Sequence, residues 1–218
     1  METKIDFPLN WGLGSSSTLI YNVAQWAYIS PFELLFSTMG GSGYDIACAQ
    51  SNGPILYRKN TSGPHWSPTE FNPPFKDKLY FVYLGQKQDS REGISYYEKN
   101  KGSVTEVVHK LSQISGNIIS CEDFNEFELL ISGHEKVVSN ALGIPMVKEE
   151  RFSDYWGQIK SLGAWGGDFV LVTSSRSKEE TIKYFERKGH DVFVSYDELI
   201  LGSELKSEKS EKVSETLQ

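Results

Sequence analysis

The first half of the chain mixes short helical patterns with short strand patterns. KIDF alternates polar and apolar residues, which predicts a brief strand, and TLIYNVAQWAYI has the apolar spacing of a buried helix. Ser30 precedes Pro31 and Glu33, which predicts an N-cap, a first helical residue and a capping box for a second helix. YDIACAQ follows a glycine-rich turn and predicts a third, short helix with Asp45 in its first turn.

Strand patterns follow and then give way to helical ones. GPILYRK and HWSPTEF predict two strands around NTSG, and KLYFVYLG is the strongest strand pattern in the chain. Helices are predicted over residues 103–115, 122–142 and 178–188, with Ser120 as the cap of the second, and FVLVTS and DVFVSY predict further strands. Residues 203–218 are mostly Ser, Glu and Lys, which indicates a disordered tail. The patterns alone indicate a mixed α and β protein.

Composition narrows the function classes. With 218 residues, 39% of them hydrophobic, the chain can form one large domain or two small lobes. The net charge of -7 disfavours nucleic acid and anionic membranes as partners and favours a small molecule or a protein. Cys48 and Cys121 form no paired motif, and no apolar run approaches a membrane span or a secretory leader, so we expect a cytoplasmic protein.

The stretch DFPLNWGLGSSSTLI carries the first candidate chemistry. Small residues let a backbone close around an anion, and the N–H groups of a following helix would point at it. A serine hydroxyl there could reach a phosphate oxygen or a metal ion. Alternatively, Ser15, Ser16 and Ser17 only cap the helix, and the residues by themselves leave both interpretations open. The chain has no P-loop motif, and its four histidines show no metal-ligand spacing.

Three segments in order, PLNWGLGSSSTL, GGSGYDIACA and KSLGAWGGDFVL, resemble the GHMP kinases, the family named for galactokinase, homoserine kinase, mevalonate kinase and phosphomevalonate kinase. The first resembles the family's second motif, with Ser17 where alanine is usual. The second is similar to the Gly-Ser-Gly-x-Asp segment of the phosphomevalonate kinase branch. The third resembles the family's third motif, with Leu162 and Trp165 replacing small residues, and LYFVYLGQKQDSREGI resembles the segment that opens the C-terminal lobe.

The resemblance implies an α+β fold of two lobes. These would be a partial ribosomal S5 domain 2-like N-terminal lobe over residues 1–76 and a ferredoxin-like C-terminal lobe over residues 77–202, followed by the tail. The family's first motif, a strand-rich segment containing Gly-Glu, is not found ahead of DFPLNWGLG. We expect a shortened form of a longer kinase, the alternative being a fold trimmed to another use. A lobe without those strands would expose sheet edge and self-associate.

Carried over to matching positions, the resemblance implies ATP and Mg²⁺ as cofactors. Asp45 would orient or deprotonate the acceptor, and the Ser16 hydroxyl and the Glu33 carboxylate would bind Mg²⁺. Substrate would meet Ser42, Gly43, Ser90 and Arg91, and the ATP phosphates would meet Gly12, Leu13, Gly14, Ser15, Ser16, Ser17, Gly163, Ala164, Gly166 and Gly167. Structural alternatives stay open for Asp45 as a helix N-terminal acid, for Glu33 as a capping-box residue and for Arg91 as a solvated side chain.

The function implied by the resemblance is an ATP-dependent kinase of the mevalonate pathway or of sugars, acting on a hydroxyl or phosphate acceptor. The alternative is a non-catalytic nucleotide-binding or interaction protein, motivated by the unmatched first motif and by Trp165 in the third. A purely structural domain is the third hypothesis.

Overall fold

The computed structural model of the chain describes residues 2–85, 104–163 and 168–200. These residues divide into two compact units, one of residues 2–71 with Ile200 and the other of Asn72–Leu199. Each unit has its own helices and its own sheet. The predicted lobe boundaries, 1–76 and 77–202, and the ATP-binding role of the first lobe stay predictions.

The first unit contains three helices and one hairpin. The helices are α1 (Ser15–Ala27), α2 (Pro31–Thr38) and α3 (Tyr44–Ala49), and the hairpin strands are β1 (Ile55–Asn60) and β2 (Gly63–Pro68). The helices pack around a small buried cluster of Ile20, Leu35 and Ile46, one residue from each helix. Because the cluster draws on all three helices, their relative positions depend on it.

The hairpin confirms the two strands predicted around NTSG. It is antiparallel, with Asn60 opposite Gly63 and Ile55 opposite Pro68. The side-chain oxygen of Asn60 accepts a 2.9 Å bond from the backbone N–H of Ser62, which stabilises the turn. Within the described residues neither strand pairs with a third.

The second unit is a four-stranded antiparallel sheet with helices. Its strands lie in the order β4-β5-β3-β6, which is the order of a ferredoxin-like sheet. The α+β prediction is therefore confirmed, and the strongest strand pattern of the sequence, β3, lies inside the sheet. The elements in chain order are β3 (Leu79–Tyr83), α4 (Val104–Ile119), α5 (Phe124–Leu142), α6 (Val147–Arg151), β4 (Ile159–Ser161), β5 (Phe169–Thr173), α7 (Lys178–Arg187), β6 (Phe193–Ser195) and α8 (Tyr196–Leu199).

Aromatic side chains dominate the core of the second unit. The ring of Phe185, on α7, lies 5.4 Å from that of Phe152 and 5.0 Å from that of Tyr155. Ser177 and Glu180 form a complete capping box at the start of α7, which fixes where this helix begins. No helix within the described ranges combines the length and the apolar character needed to cross a bilayer.

Three local predictions are wrong. KIDF forms no strand. Ser120 does not cap α5, because its hydroxyl binds the carbonyls of Gly116 and Asn117 in α4, and the Asp123 carboxylate instead accepts the Glu126 N–H at 2.8 Å. Helix α4 continues to Ile119, beyond the predicted residue 115, and α6 and β4 were not predicted. The predicted tail over residues 203–218 lies outside the described residues.

Gly157 lies in close contact with the backbone of β5. A Cβ atom at this position would lie 1.9 Å from the Thr173 carbonyl oxygen. Tyr155 donates a 2.7 Å hydrogen bond to the same oxygen, and the Gln158 N–H donates to the Thr173 hydroxyl at 2.7 Å. The chain before β4 is therefore bonded to the end of β5 on both sides of Gly157.

We expect Gly157→Ala to lower the free energy of unfolding by about 3 kcal/mol or more, because the methyl group displaces backbone that these bonds hold. Denaturant unfolding measures the change. Gly133→Ala in α5 is the matched control. No atom lies within 4 Å of its added Cβ, so alanine should leave stability unchanged or raise it. Equal stabilities for the two variants would contradict the close approach.

Candidate functional site

The glycine-serine turn opens α1. Gly12 and Gly14 have φ of 68° and 80°, a left-handed conformation that favours glycine. Gly14 is the N-cap and makes no side-chain cap bond, so Ser15, Ser16 and Ser17 lie in the first helical turn and do not cap the helix. Their N–H groups find no acceptor among the described residues, and such N–H groups at the start of a thirteen-residue helix suit an anion.

Glu33 makes only half of the predicted capping box. Its N–H donates to the Ser30 hydroxyl at 3.4 Å, which confirms Ser30 as the cap. Its carboxylate, in contrast, is exposed and binds no described residue. A carboxylate oxygen free of protein partners is a suitable ligand for a hard cation such as Mg²⁺.

The metal ligands available from the protein are few. The described residues contain no group of three or more His, Cys, Asp and Glu side chains that could hold a metal. Mg²⁺ in phosphoryl-transfer sites needs only one or two protein oxygens, because phosphates and water supply the others. The Ser16 hydroxyl and the Glu33 carboxylate fit that requirement by residue type.

Asp45 lies in the first turn of α3, behind a loop of residues 40–43. Gly40, Gly41 and Gly43 in this loop have φ of 70°, 98° and 86°. A Cβ on Gly43 would lie 3.2 Å from the Phe32 ring, so both conformation and space restrict this position to glycine. The loop therefore lies close against the Phe32 side chain of α2.

The Asp45 carboxyl group is accessible but partly desolvated. The residue is exposed, yet enough protein surrounds the carboxyl group to raise its pKa above the ordinary value. A raised pKa makes the ionised carboxylate a stronger base, as a group that accepts a proton at neutral pH requires. The exposure leaves room for an acceptor to reach it.

Two residues of β1 contact the loop ahead of Asp45. The Tyr57 hydroxyl donates to the Ser42 carbonyl, and Lys59 Nζ donates to the Gly41 carbonyl at 2.8 Å. Neither residue was predicted from the sequence. Their spacing of two along a predicted strand was the available signal, because it places both side chains on one face.

In the second unit, a buried ion pair holds the strand that leads into the third glycine-rich segment. The side chain of Glu135 on α5 is 3% exposed, accepts the Ser161 N–H at 3.1 Å and lies 3.6 Å from Lys160 Nζ. Burial lowers the pKa of Lys160, while the Glu135 carboxylate opposes that shift. Neither residue was predicted, because their separation of twenty-five positions leaves no local pattern.

The structure distributes the predicted site residues between the two units. The turn of residues 12–17, Glu33, Ser42, Gly43 and Asp45 belong to the first unit, on or beside helices that share one core. Gly163 follows β4 in the second unit, with φ of 65°. Ala164, Gly166, Gly167, Ser90 and Arg91 lie outside the described residues. The roles of all of them stay predictions.

Comparison with known proteins shows the fold. No family model matches the chain, and no curated protein sequence matches it. Among solved structures, Leishmania major mevalonate kinase in complex with R-mevalonate matches with a TM-score of 0.59 and 16% identity. Streptococcus pneumoniae phosphomevalonate kinase, in complex with phosphomevalonate and AMPPNP, matches with a TM-score of 0.64 and 15% identity. The Lin0012 protein of Listeria innocua matches with a TM-score of 0.62 and 18% identity.

The matches extend over a larger share of this chain than of each neighbour. They cover 84%, 85% and 83% of this chain, and 65%, 69% and 65% of the respective neighbours. The chain therefore spans about two thirds of the length of these structures. Two of the three are kinases of the GHMP type, so the chain has a kinase-like fold.

We expect Asp45→Asn to raise the free energy of unfolding at neutral pH. The fold raises the pKa of Asp45 above its ordinary 3.8, so the folded chain disfavours the ionised carboxylate that the variant removes. The gain should be full above the raised pKa and should vanish at about pH 3, where folded and unfolded chains both carry the proton. Denaturant unfolding at the two pH values measures it.

Asp154→Asn is the control of opposite sign. Tyr184 and Lys188 donate to the Asp154 carboxylate at 2.6 and 3.0 Å and lower its pKa. The contribution of the Asp154 carboxylate to the free energy of unfolding is therefore present above the ordinary pKa of 3.8. It is lost as the pH falls through the lowered pKa of the folded chain. Asp154→Asn should lower stability at neutral pH, and a similar loss for Asp45→Asn would contradict desolvation at Asp45.

Proposed function

We propose that the protein is an ATP- and Mg²⁺-dependent small-molecule kinase with Asp45 at the reacting hydroxyl or phosphate oxygen. One observation carries the proposal, namely that a glycine-serine turn opening α1 and an accessible, desolvated Asp45 occur in one unit of a kinase-like fold. The order of these two segments and of a third glycine-rich segment, KSLGAWGGDFVL, along the chain agrees with it.

The turn of residues 12–17 would bind the phosphates of ATP. The N–H groups of Ser15, Ser16 and Ser17, which have no acceptor in the part of the chain that the structure describes, and the positive end of the α1 dipole favour negative charge. The Streptococcus neighbour was solved with AMPPNP, which supports a nucleotide as the ligand. Bound Mg²⁺, held by the Ser16 hydroxyl and the Glu33 carboxylate together with phosphate oxygens, would neutralise the charge on the phosphates.

Asp45 would act on the acceptor. The acceptor oxygen forms a bond to the γ-phosphorus, the bond from that phosphorus to the bridging oxygen breaks, and ADP leaves with the electron pair. Where the acceptor is an ionised phosphate oxygen, there is no proton to take and Asp45 only orients it. Where the acceptor is a hydroxyl, Asp45 orients it and takes its proton, which then passes to solvent. The raised pKa of Asp45 suits this step because the stronger base holds the proton more readily.

The neighbours suggest the class of acceptor. One was solved with R-mevalonate and another with phosphomevalonate, the first offering a hydroxyl and the second a phosphate oxygen. We therefore propose a mevalonate- or phosphomevalonate-like acceptor, with a sugar as the alternative, and a cytoplasmic place in the mevalonate pathway. The contact residues would include Ser42 and Gly43 of the glycine loop.

The test is ADP release from ATP and Mg²⁺ with R-mevalonate, phosphomevalonate and a panel of sugars. We expect acceptor-dependent turnover that falls by about 100-fold or more in Asp45→Ala, since positioned proton transfer contributes a factor of that order. Glu70→Ala, an exposed carboxylate of the same unit to which we assign no role, is the control and should keep its turnover. Equal background turnover by wild type and Asp45→Ala would refute the kinase.

A non-catalytic nucleotide-binding protein is the second candidate, favoured by Trp165 at a position where the resembled third motif has a glycine. It predicts that AMPPNP raises the melting temperature while ATP is not consumed. A purely structural domain would show neither effect.

We further propose that the first unit self-associates. Its hairpin has no third strand among the described residues, and apolar side chains are exposed near the end of α1, with Trp26 at 68% and Tyr28 at 97%. Tyr28 also has a φ of 56°, an unfavourable conformation for an aromatic residue. Exposed strand edges and apolar patches of this kind favour contact with a second copy.

Sedimentation velocity over a range of concentrations tests this proposal. We expect the sedimentation coefficient of wild type to rise with concentration and to rise less in Trp26→Ser combined with Tyr28→Asn. Leu129→Ser, which removes a side chain 73% exposed on α5, is the control and should behave as wild type. A monodisperse wild-type monomer would contradict self-association.

A further inference from the structure

The loop of residues 40–43, directly ahead of the helix that contains Asp45, makes few contacts that would fix its own conformation. Three of its four residues are glycines with positive φ, which restrict the backbone least. Gly43 caps α3 without a side-chain bond. Among the described residues, the one local hydrogen bond of a loop side chain is the 3.2 Å bond that Ser42 Oγ accepts from the Tyr44 N–H. Helix α3 has six residues, too few to be stable alone. The position of Asp45 must therefore be set from outside the loop.

Strand β1 provides that support through two donors. Tyr57 donates its hydroxyl hydrogen to the Ser42 carbonyl, and Lys59 donates an ammonium hydrogen to the Gly41 carbonyl at 2.8 Å. The two carbonyls belong to successive peptide groups immediately ahead of Gly43. Because a peptide group is planar, each bond fixes the orientation of a whole group. Together they fix the direction in which the chain enters α3.

Both donors are themselves held in place. The Tyr57 ring meets the Tyr44 ring edge-on, with centroids 5.7 Å apart, and Lys59 Nζ lies 5.0 Å from the centre of the Phe36 ring. The backbone of β1 is fixed in turn by pairing with β2, where Tyr57 lies opposite Trp66. The support therefore reaches from the hairpin to α2 and α3.

We propose that Tyr57 and Lys59 form a clamp that positions Asp45 for phosphoryl transfer, an assignment that rests on the proposed kinase function. Neither side chain takes part in the chemistry, and both act through the carbonyls of the loop. Loosening the clamp would leave the fold and the ATP turn intact while Asp45 moves away from the acceptor. The expected signature is a fall in kcat with little change in the KM for ATP.

The experiment compares Tyr57→Phe, Lys59→Met and their combination with wild type. Tyr57→Phe keeps the ring and removes the donor, and Lys59→Met keeps the stem and removes the charge. Lys59→Arg retains a donor and should restore function. Arg58→Met is the matched control, since Arg58 is the exposed neighbour between the two clamp residues and lies on the opposite face of β1.

Amide hydrogen exchange at Ala47 provides a readout besides activity. The Ala47 N–H donates to the Gly43 carbonyl at 3.1 Å and so reports the opening of the first turn of α3. We expect exchange at Ala47 to accelerate about tenfold in the double variant, which corresponds to about 1.4 kcal/mol in the free energy of opening. Exchange at Ala24, buried within α1, should stay unchanged if the first unit remains folded.

We expect kcat to fall about tenfold in the double variant, with the KM for ATP within about twofold of wild type and Arg58→Met unchanged. Unchanged Ala47 exchange in the double variant would overturn the clamp whether or not the protein is a kinase. Unchanged kcat in an active enzyme would overturn it as well. If no acceptor is phosphorylated by wild type while Ala47 exchange accelerates in the variants, the kinase proposal fails and the structural part of the clamp stands.

Discussion

Strand β3 must lie inside its sheet because both of its faces are apolar. Leu79 and Phe81 are buried on one face, and Tyr80 and Val82 are buried on the other. With β5 paired on one side and β6 on the other, the strand also has backbone partners along both edges. Burying β3 in this way requires neighbouring strands along its edges and helices or aromatic side chains on its faces. The architecture of the second unit meets this requirement.

The described residues of the first unit include no such strand, and the unit is built differently. Its helices share a cluster of three buried residues, and its hairpin is half exposed to solvent. The residues proposed to act on phosphate and acceptor lie here, at helix starts behind left-handed glycines. The backbone therefore shapes the candidate site, and side chains from β1 and α2 stabilise the backbone. A small core leaves such loops accessible to ligands, at a cost in intrinsic stability.

The sequence predicts well those features that depend on residues close together along the chain. The capping box of α7, the Ser30 cap of α2 and the apolar run of β3 are local signals, and the structure confirms each of these elements. Strand β4 has only three residues and depends on pairing with β5, and Asp123 displaces Ser120 as a cap because it lies directly ahead of α5. The existence of β4 depends on a tertiary contact, and the cap of α5 depends on competition between two candidate residues. A hydrophobic pattern along the chain predicts neither.

The candidate site likewise has features that the sequence predicts and features that it does not. The order of its glycine-rich segments was visible in the sequence, and the kinase-like fold agrees with the family that this order suggested. The contacts that hold those segments were not visible. Tyr57 contacts a carbonyl fifteen residues away, and Glu135 contacts an amide twenty-six residues away. Only the folded chain brings these groups together.

The unequal cores have a consequence for how the protein unfolds. A unit with a small apolar cluster and a two-stranded hairpin should open more often than one built around a buried strand and an aromatic cluster. Heat or denaturant would then act on two cooperative blocks, and one melting temperature would average them. A protease that cleaves open states would cut the first unit sooner. The unit proposed to bind nucleotide would therefore also control the lifetime of the protein in the cell.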